Sequence, residues 1–167
     1  TDVSGHALSL VQDPIEPKLL FLGTENGLYV SFNKGESWNK WTHDFPSVST
    51  MDLKIHPREN DLIIGTFGRA AYILDDITPL RLVASKGPAA LKAPLKIVSV
   101  PEAYLAVSKR PPGVHFPGDM IWYGENRWNG ARIQYVVSLP EEAQTLPCVF
   151  RSAIRMPLRD SPLPNTN

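Results

Sequence analysis

In the first half of the chain, apolar residues come in short β-rich runs closed by glycine, proline, asparagine or aspartate. Leu8, Leu10, Phe21, Leu28, Val30, Phe32, Leu53, Ile55, Ile63 and Ile73 all fall in such runs. Runs this short and this punctuated suit strands rather than helices. The pattern predicts strands near 7–12, 19–23, 28–32 and 37–42, then near 49–56, 62–66 and 71–75, with an outer strand at 80–84. After position 84 the character changes, because 11 of the 16 prolines lie there. Residues 84–118 read as a proline-rich linker with one edge strand in LKIVSVPEAYLAV, 95–107, since proline is confined to strand edges and ends. Residues 120–123 and 131–139 are expected to pair as a hairpin around Asn129-Gly130, a strong turn signal, within a segment spanning 119–139. From Pro140 to the end periodicity is lost, and 140–167 reads as an irregular or disordered tail.

The first half also repeats itself. Pro14 and Pro57 lie 43 residues apart, as do Tyr29 and Tyr72, while Gly23-Thr24 and Gly65-Thr66 lie 42 apart. Each copy runs through an apolar strand, X-Pro, a polar turn, a strand ending in Gly-Thr, a glycine-bearing loop and a strand with a tyrosine. A period of about 42 residues with four short strands is the length of a β-propeller blade. The expected fold is therefore all-β: two four-stranded blades of a partial propeller over residues 1–83, followed by the linker and an incomplete hairpin or sandwich segment.

At Ser31–Trp38 the chain reads SFNKGESW, which resembles the Asp-box of BNR-type propeller blades, S-x-D-x-G-x-x-W. Ser31, Gly35 and Trp38 match, and Asn33 stands at the aspartate position. The aspartate or asparagine accepts hydrogen bonds from turn amides, glycine supplies a positive φ, and the tryptophan is expected to fill the apolar gap between blades. The phrase GTFGRAAYILDDITPLR, 65–81, is similar to the end of the propeller in bacterial BNR-repeat, sortilin-like glycosyl hydrolase-type proteins, with Phe67 at a usual histidine and Ala70 at a usual glycine. YGENRWNGARIQY, 123–135, resembles the start of the β-sandwich that follows there. The resemblance implies the last two blades of a propeller in a secreted or periplasmic parent protein.

A blade is a wedge whose two faces are covered by neighbours, and about three stacked repeats are needed for stability. Two blades alone would leave apolar faces bare. The expectation is that further blades or self-association cover them. The sequence has 17 basic and 17 acidic residues, so net charge gives no reason to expect nucleic acid or an anionic membrane as partner. No apolar run approaches the length of a bilayer span, and TDVSGHAL has no signal-peptide pattern. Cys148 is the only cysteine, which leaves neither an internal disulfide nor a thiolate cluster.

Propeller geometry puts the loop between the second and third strands on the same end as the loop joining blades. That end would be built from Glu25, Asn26, Phe67, Gly68 and Arg69, with His43, Asp44 and Phe45. Arg69 could hold a carboxylate or sugar hydroxyls, with Asn26 and Phe67 beside it, and Glu25 could act as acid or base. The plainer reading makes Glu25-Asn26-Gly27 a polar turn and Arg69 a brace. A glycosidase needs two carboxylates about 5 to 9.5 Å apart, and Asp44 or Asp52 could partner Glu25. Asp75-Asp76 point to opposite faces of a strand and suit a turn or cap better. Trp122, Tyr123 and Trp128 could stack a sugar or simply be half-buried strand aromatics. His6, His43, His56 and His115 lack zinc-ligand spacing, and no cofactor is implied. The expected function is a non-catalytic scaffold and binding surface for carbohydrate or protein, with no complete active site. The alternative is part of a glycoside hydrolase whose catalytic residues lie mostly in other blades.

Overall fold

The structure is a computed structural model, and it describes residues 3–92, 95–103 and 131–137. Among these residues the fold is antiparallel β-structure with one α-helix. Sheet I has strands β1 (Ala7–Gln12), β2 (Leu20–Thr24), β3 (Gly27–Ser31) and β4 (Asn39–Trp41) in the order β1-β2-β3-β4. Sheet II follows with β5 (Thr50–Ile55), β6 (Leu62–Thr66) and β7 (Ala71–Leu74), again in sequence order. Each is a simple meander, as expected of short alternating runs joined by glycine-, asparagine- and proline-bearing turns.

The repeat in the sequence is a repeat in three dimensions. β1 and β5 carry the same irregularity, one extra residue between Ala7 and Ser9 and between Thr50 and Asp52. The residues in the two bulges, Leu8 and Met51, are both exposed. Such a bulge bends a strand and strengthens its twist, so both sheets bend at the same place.

The two sheets pack face to face. Cross-strand partners share a face, so register sorts the residues. Val11, Phe21 and Val30 form one row of sheet I, and Gly23, Leu28 and Trp41 lie on the same side. These meet Leu53, Ile64 and Tyr72, and Ile55, Leu62 and Leu74, from sheet II. Leu19, Phe21, Leu28 and Leu62 are fully buried in this core. Trp41 packs against the core, whereas Trp38, expected to fill the gap between sheets, is half-buried with its ring over Gly35. Phe45, from the segment joining the sheets, is also core, set edge-on to Tyr72 at 5.0 Å between ring centres.

The expected outer strand at 80–84 is not a strand. Thr78–Lys86 forms helix α1. Pro79 sits in the first turn, where its missing N–H costs nothing, and Gly87 ends the helix at φ 76°. Ile77, Leu80, Arg81 and Ala84 recur at helical spacing, and Ile77 and Ala84 join the core. Sheet II therefore has three strands, not four. The expected linker is partly structured too: a 3-10 turn spans Pro88–Leu91, and β8 (Leu95–Ser99) pairs antiparallel with β9 (Gln134–Val137). β8 is the edge strand expected at 95–107, shorter than the sequence suggested. The hairpin partner expected for β9, 120–123, lies outside the described residues, as do Trp122, Tyr123, Trp128, Cys148 and the tail 140–167.

Candidate functional site

The turns fall into two sets at opposite ends of the sheets. One end gathers the β2–β3 turn, the β6–β7 turn at 67–70, the segment 42–49 joining the sheets, and the entries to β1 and β5. The other gathers the β1–β2 and β5–β6 turns, the turn at 32–38 and the start of α1.

At the first end, residues 4–6 lie along the β2–β3 turn as a strap. The His6 Nδ1 is 2.9 Å from Glu25 Oε2, and the His6 amide donates to the same oxygen at 3.3 Å. The Glu25 amide returns a bond to the His6 carbonyl at 3.2 Å. Asn26 Nδ2 donates to Ser4 Oγ at 3.0 Å, and the Ser4 amide donates to the Tyr29 hydroxyl at 3.2 Å. The Glu25 side chain raises the His6 pKa above the usual imidazole range, chiefly through the hydrogen bond and then through charge. Reciprocally, the hydrogen bonds from His6 lower the Glu25 pKa. Both groups are exposed to water.

The other candidates stand apart from this pair. Asp44, at φ 49°, faces its neighbour His43, with Oδ2 to Nε2 at 3.2 Å and both side chains in solvent. Asp52 lies on the outer face of sheet II and accepts the Leu53 amide. Glu25, Asp44 and Asp52 thus share no hydrogen bond and no basic partner among the described residues. Phe67 is 74% exposed, and Arg69 is exposed without an ion pair to a described residue. The turn carrying them closes through the Ala70 carbonyl, which accepts from the Thr66 amide at 3.1 Å and its hydroxyl at 2.6 Å.

The SFNKGESW turn is a closed hydrogen-bonded unit. Ser31 Oγ accepts the Asn33 and Gly35 amides and donates to Asn33 Oδ1, which also accepts the Ser37 amide at 2.9 Å. Asn33 Nδ2 adds a bond to Ser37 Oγ. Gly35 has φ 91°, which an L side chain resists. Asn33 Oδ1 therefore accepts both from the Ser31 hydroxyl and from the Ser37 amide within the turn.

Sequence reasoning missed the linkage among the buried charged groups at the second end, Asp13, Asp61, Asp76 and Arg81. Arg81 of α1 donates from Nε to Asp13 Oδ2 at 2.8 Å and from Nη1 to Asn60 Oδ1 at 2.7 Å. Asp13 sits in the β1–β2 turn and Asn60 in the β5–β6 turn, so one guanidinium ties the helix to both sheets. Asp13 Oδ1 in turn accepts the Ile15 and Glu16 amides. His56, the counterpart of Asp13 in the repeat, accepts the Glu59 amide through Nδ1. Asp76 accepts from the Thr78 amide and from the Ser99 hydroxyl, which anchors both the helix entry and β8. An arginine at the apolar spacing of Ile77, Leu80 and Ala84 was the available signal.

Among the described residues no three histidine, cysteine, aspartate or glutamate side chains gather as a metal site, and no helix is long and apolar enough to cross a membrane. No family model, curated protein or solved structure matches the chain.

Proposed function

We propose that the chain is part of a BNR-type β-propeller and serves as a non-catalytic scaffold, with its 25–26 and 67–70 turns offering a surface to carbohydrate or protein. The parent protein, on this reading, is secreted or periplasmic. The observation that carries the reading is the packing of two copies of one repeat, bulge included, through unlike faces. Phe67 and Arg69 supply an exposed ring and an exposed cation suited to stacking on a sugar or pairing with a carboxylate.

The electrostatics of Glu25 count against one of its two hydrolase roles, that of general acid, and leave the role of base or nucleophile to the experiment. A glycosidase acid must hold its proton at working pH, through a raised pKa. Glu25 is pulled the other way by His6. The test is hydrolysis of chromogenic glycosides by the wild-type chain and by Glu25→Gln. The scaffold reading expects no turnover above buffer from either, with binding to immobilised glycans or peptides weakened by Arg69→Ala. Turnover that Glu25→Gln abolishes would transfer the chain to the hydrolase class.

A further inference from the structure

The fourth strand of sheet I has no counterpart in sheet II. In sheet I, β4 lies along β3 and pairs with Leu28 and Val30. In the repeat these two residues correspond to Ala71 and Ile73 of β7. There the chain leaves for α1 instead, which the bonds of Arg81 to Asp13 and Asn60 hold at the second end of the sheets. β7 is thus the margin of its sheet, with β6 as its only strand neighbour among the described residues.

Register shows which backbone groups that margin presents. The Thr66 amide donates to the Ala70 carbonyl, so these two residues form a hydrogen-bonded pair. In an antiparallel ladder such pairs alternate with non-bonded ones. Tyr72 and Leu74 therefore bond to Ile64 and Leu62, and the N–H and C=O groups of Ala71 and Ile73 point away from the sheet. Beyond the ladder with β6, neither Ala71 nor Ile73 has a backbone bond to a described residue. Ala71 is exposed, and Ile73 is 63% exposed. Proteins commonly blunt a free edge with lysine, proline or a bulge, and the AYIL of β7 has none of these.

We propose that the free edge of β7 pairs with the β7 edge of a second copy of this chain, antiparallel about a two-fold axis at Tyr72. The two copies of sheet II then form one continuous sheet. Ala71 of each copy stands opposite the partner's Ile73, and each such pair exchanges two backbone hydrogen bonds. The register matches in shape. On the outer face Ile73 meets the partner's Ala71, with Gly65 as the next residue across the sheet. On the inner face Tyr72 meets the partner's Tyr72, and aromatic cross-strand pairs of this kind stabilise a sheet. The register matches in charge too. Arg69 lies three residues before Tyr72 and Asp75 three after it. The axis therefore brings the exposed Arg69 alongside the partner's Asp75, a side chain that is 46% exposed beside Arg132. A foreign strand could take the backbone bonds, but a second β7 supplies both matches at both ends. Sheet I does not stand in the way. It meets sheet II at β5, where a Cβ on Gly23 would lie 2.6 Å from the Thr50 carbonyl oxygen, and β7 is the strand of sheet II furthest from that crossing. A pairing of two strands of 4 residues is short, so the association is concentration-dependent.

A two-fold contact closes at two chains. In sedimentation equilibrium on the full chain, from micromolar to millimolar, the mass should rise with concentration and level off at two chains. Ile73→Pro removes an N–H that no described residue accepts, a change an edge strand tolerates, and this variant should remain at one chain throughout. Circular dichroism and urea unfolding check that it folds. Cross-linking reads the register without that variant. Opposite residues of a hydrogen-bonded pair have Cα atoms about 5.5 Å apart, within the span of a disulfide. In a Cys148→Ser background, an equimolar mixture of Ala71→Cys and Ile73→Cys should oxidise to a linked dimer on the order of tenfold faster than either alone, because position 71 faces 73 and not itself. Both readouts concern pairing between chains, so the proposal can fail while ligand binding by the turns stands, and the reverse. A wild type that stays at one chain overturns it, as does growth past two chains without a plateau. So does an Ile73→Pro chain that associates like the wild type, or a mixture that links no faster than its parts.

Discussion

Ala70 holds its backbone at φ 58°, where a Cβ crowds the neighbouring carbonyl at a cost of about 1–2 kcal/mol. Glycine adopts this conformation without that cost. Ala70→Gly should stabilise the chain by about 0.5–1 kcal/mol, after the extra unfolded-state entropy of glycine is subtracted. A higher urea midpoint checks this, and an unchanged or lower one counts against the strain. His6 and Glu25 allow a second test on single side chains. The raised His6 pKa means its contribution is complete below the unfolded value and is lost as pH climbs through the folded one. The lowered Glu25 pKa means its contribution is present above the unfolded value and is lost as pH drops through the folded one. The strap contact is therefore fullest in mildly acidic solution, between those limits. An NMR titration of the His6 ring should give a midpoint above the usual imidazole range, and Glu25→Gln should bring it down. A midpoint indifferent to Glu25→Gln would mean that the strap does not lie on the turn in solution.

At the scale of elements, α1 depends on Arg81. Its side chain and that of Asp13 are 10% and 0% exposed, so removing the guanidinium leaves a carboxylate buried without its cation. Arg81→Ala should cost about 3–5 kcal/mol, read as a fall in the urea midpoint. Seven strands of the first two sheets were legible in the sequence, because Gly-Thr ends, X-Pro turns and alternating apolar runs act over a few residues. Helix α1 was not. Leu80 and Leu82 alternate like strand residues, and the opposing signals, Pro79 in a first turn and the spacing of Ile77, Leu80, Arg81 and Ala84, gain weight only once Asp13 and Asn60 lie beneath the helix. The internal bonding of the SFNKGESW turn was legible for the same local reason, through Ser31, Asn33 and Gly35. The His6–Glu25 pair was not, since it depends on where a strap 19 residues away in sequence comes to rest.

For the molecule as a whole, the Arg81 clasp has a consequence in time. Asp13 and Arg81 are 68 residues apart, and closing so long a loop carries an entropy cost that early contacts within each meander do not. During synthesis both sheets are complete before the arginine that fastens them has been made, so Asp13 waits in water while its surroundings assemble. By the same loop-closure argument the clasp is expected to form after the transition state, and a contact absent from the transition state acts on how fast the native state comes apart. The stability lost in Arg81→Ala should therefore fall on the unfolding limb of a chevron plot. Unfolding should quicken on the order of a hundredfold or more while the refolding limb scarcely moves. The helix that closes the fold acts on this account as a latch, setting the lifetime of the assembled sheets rather than the speed of their assembly.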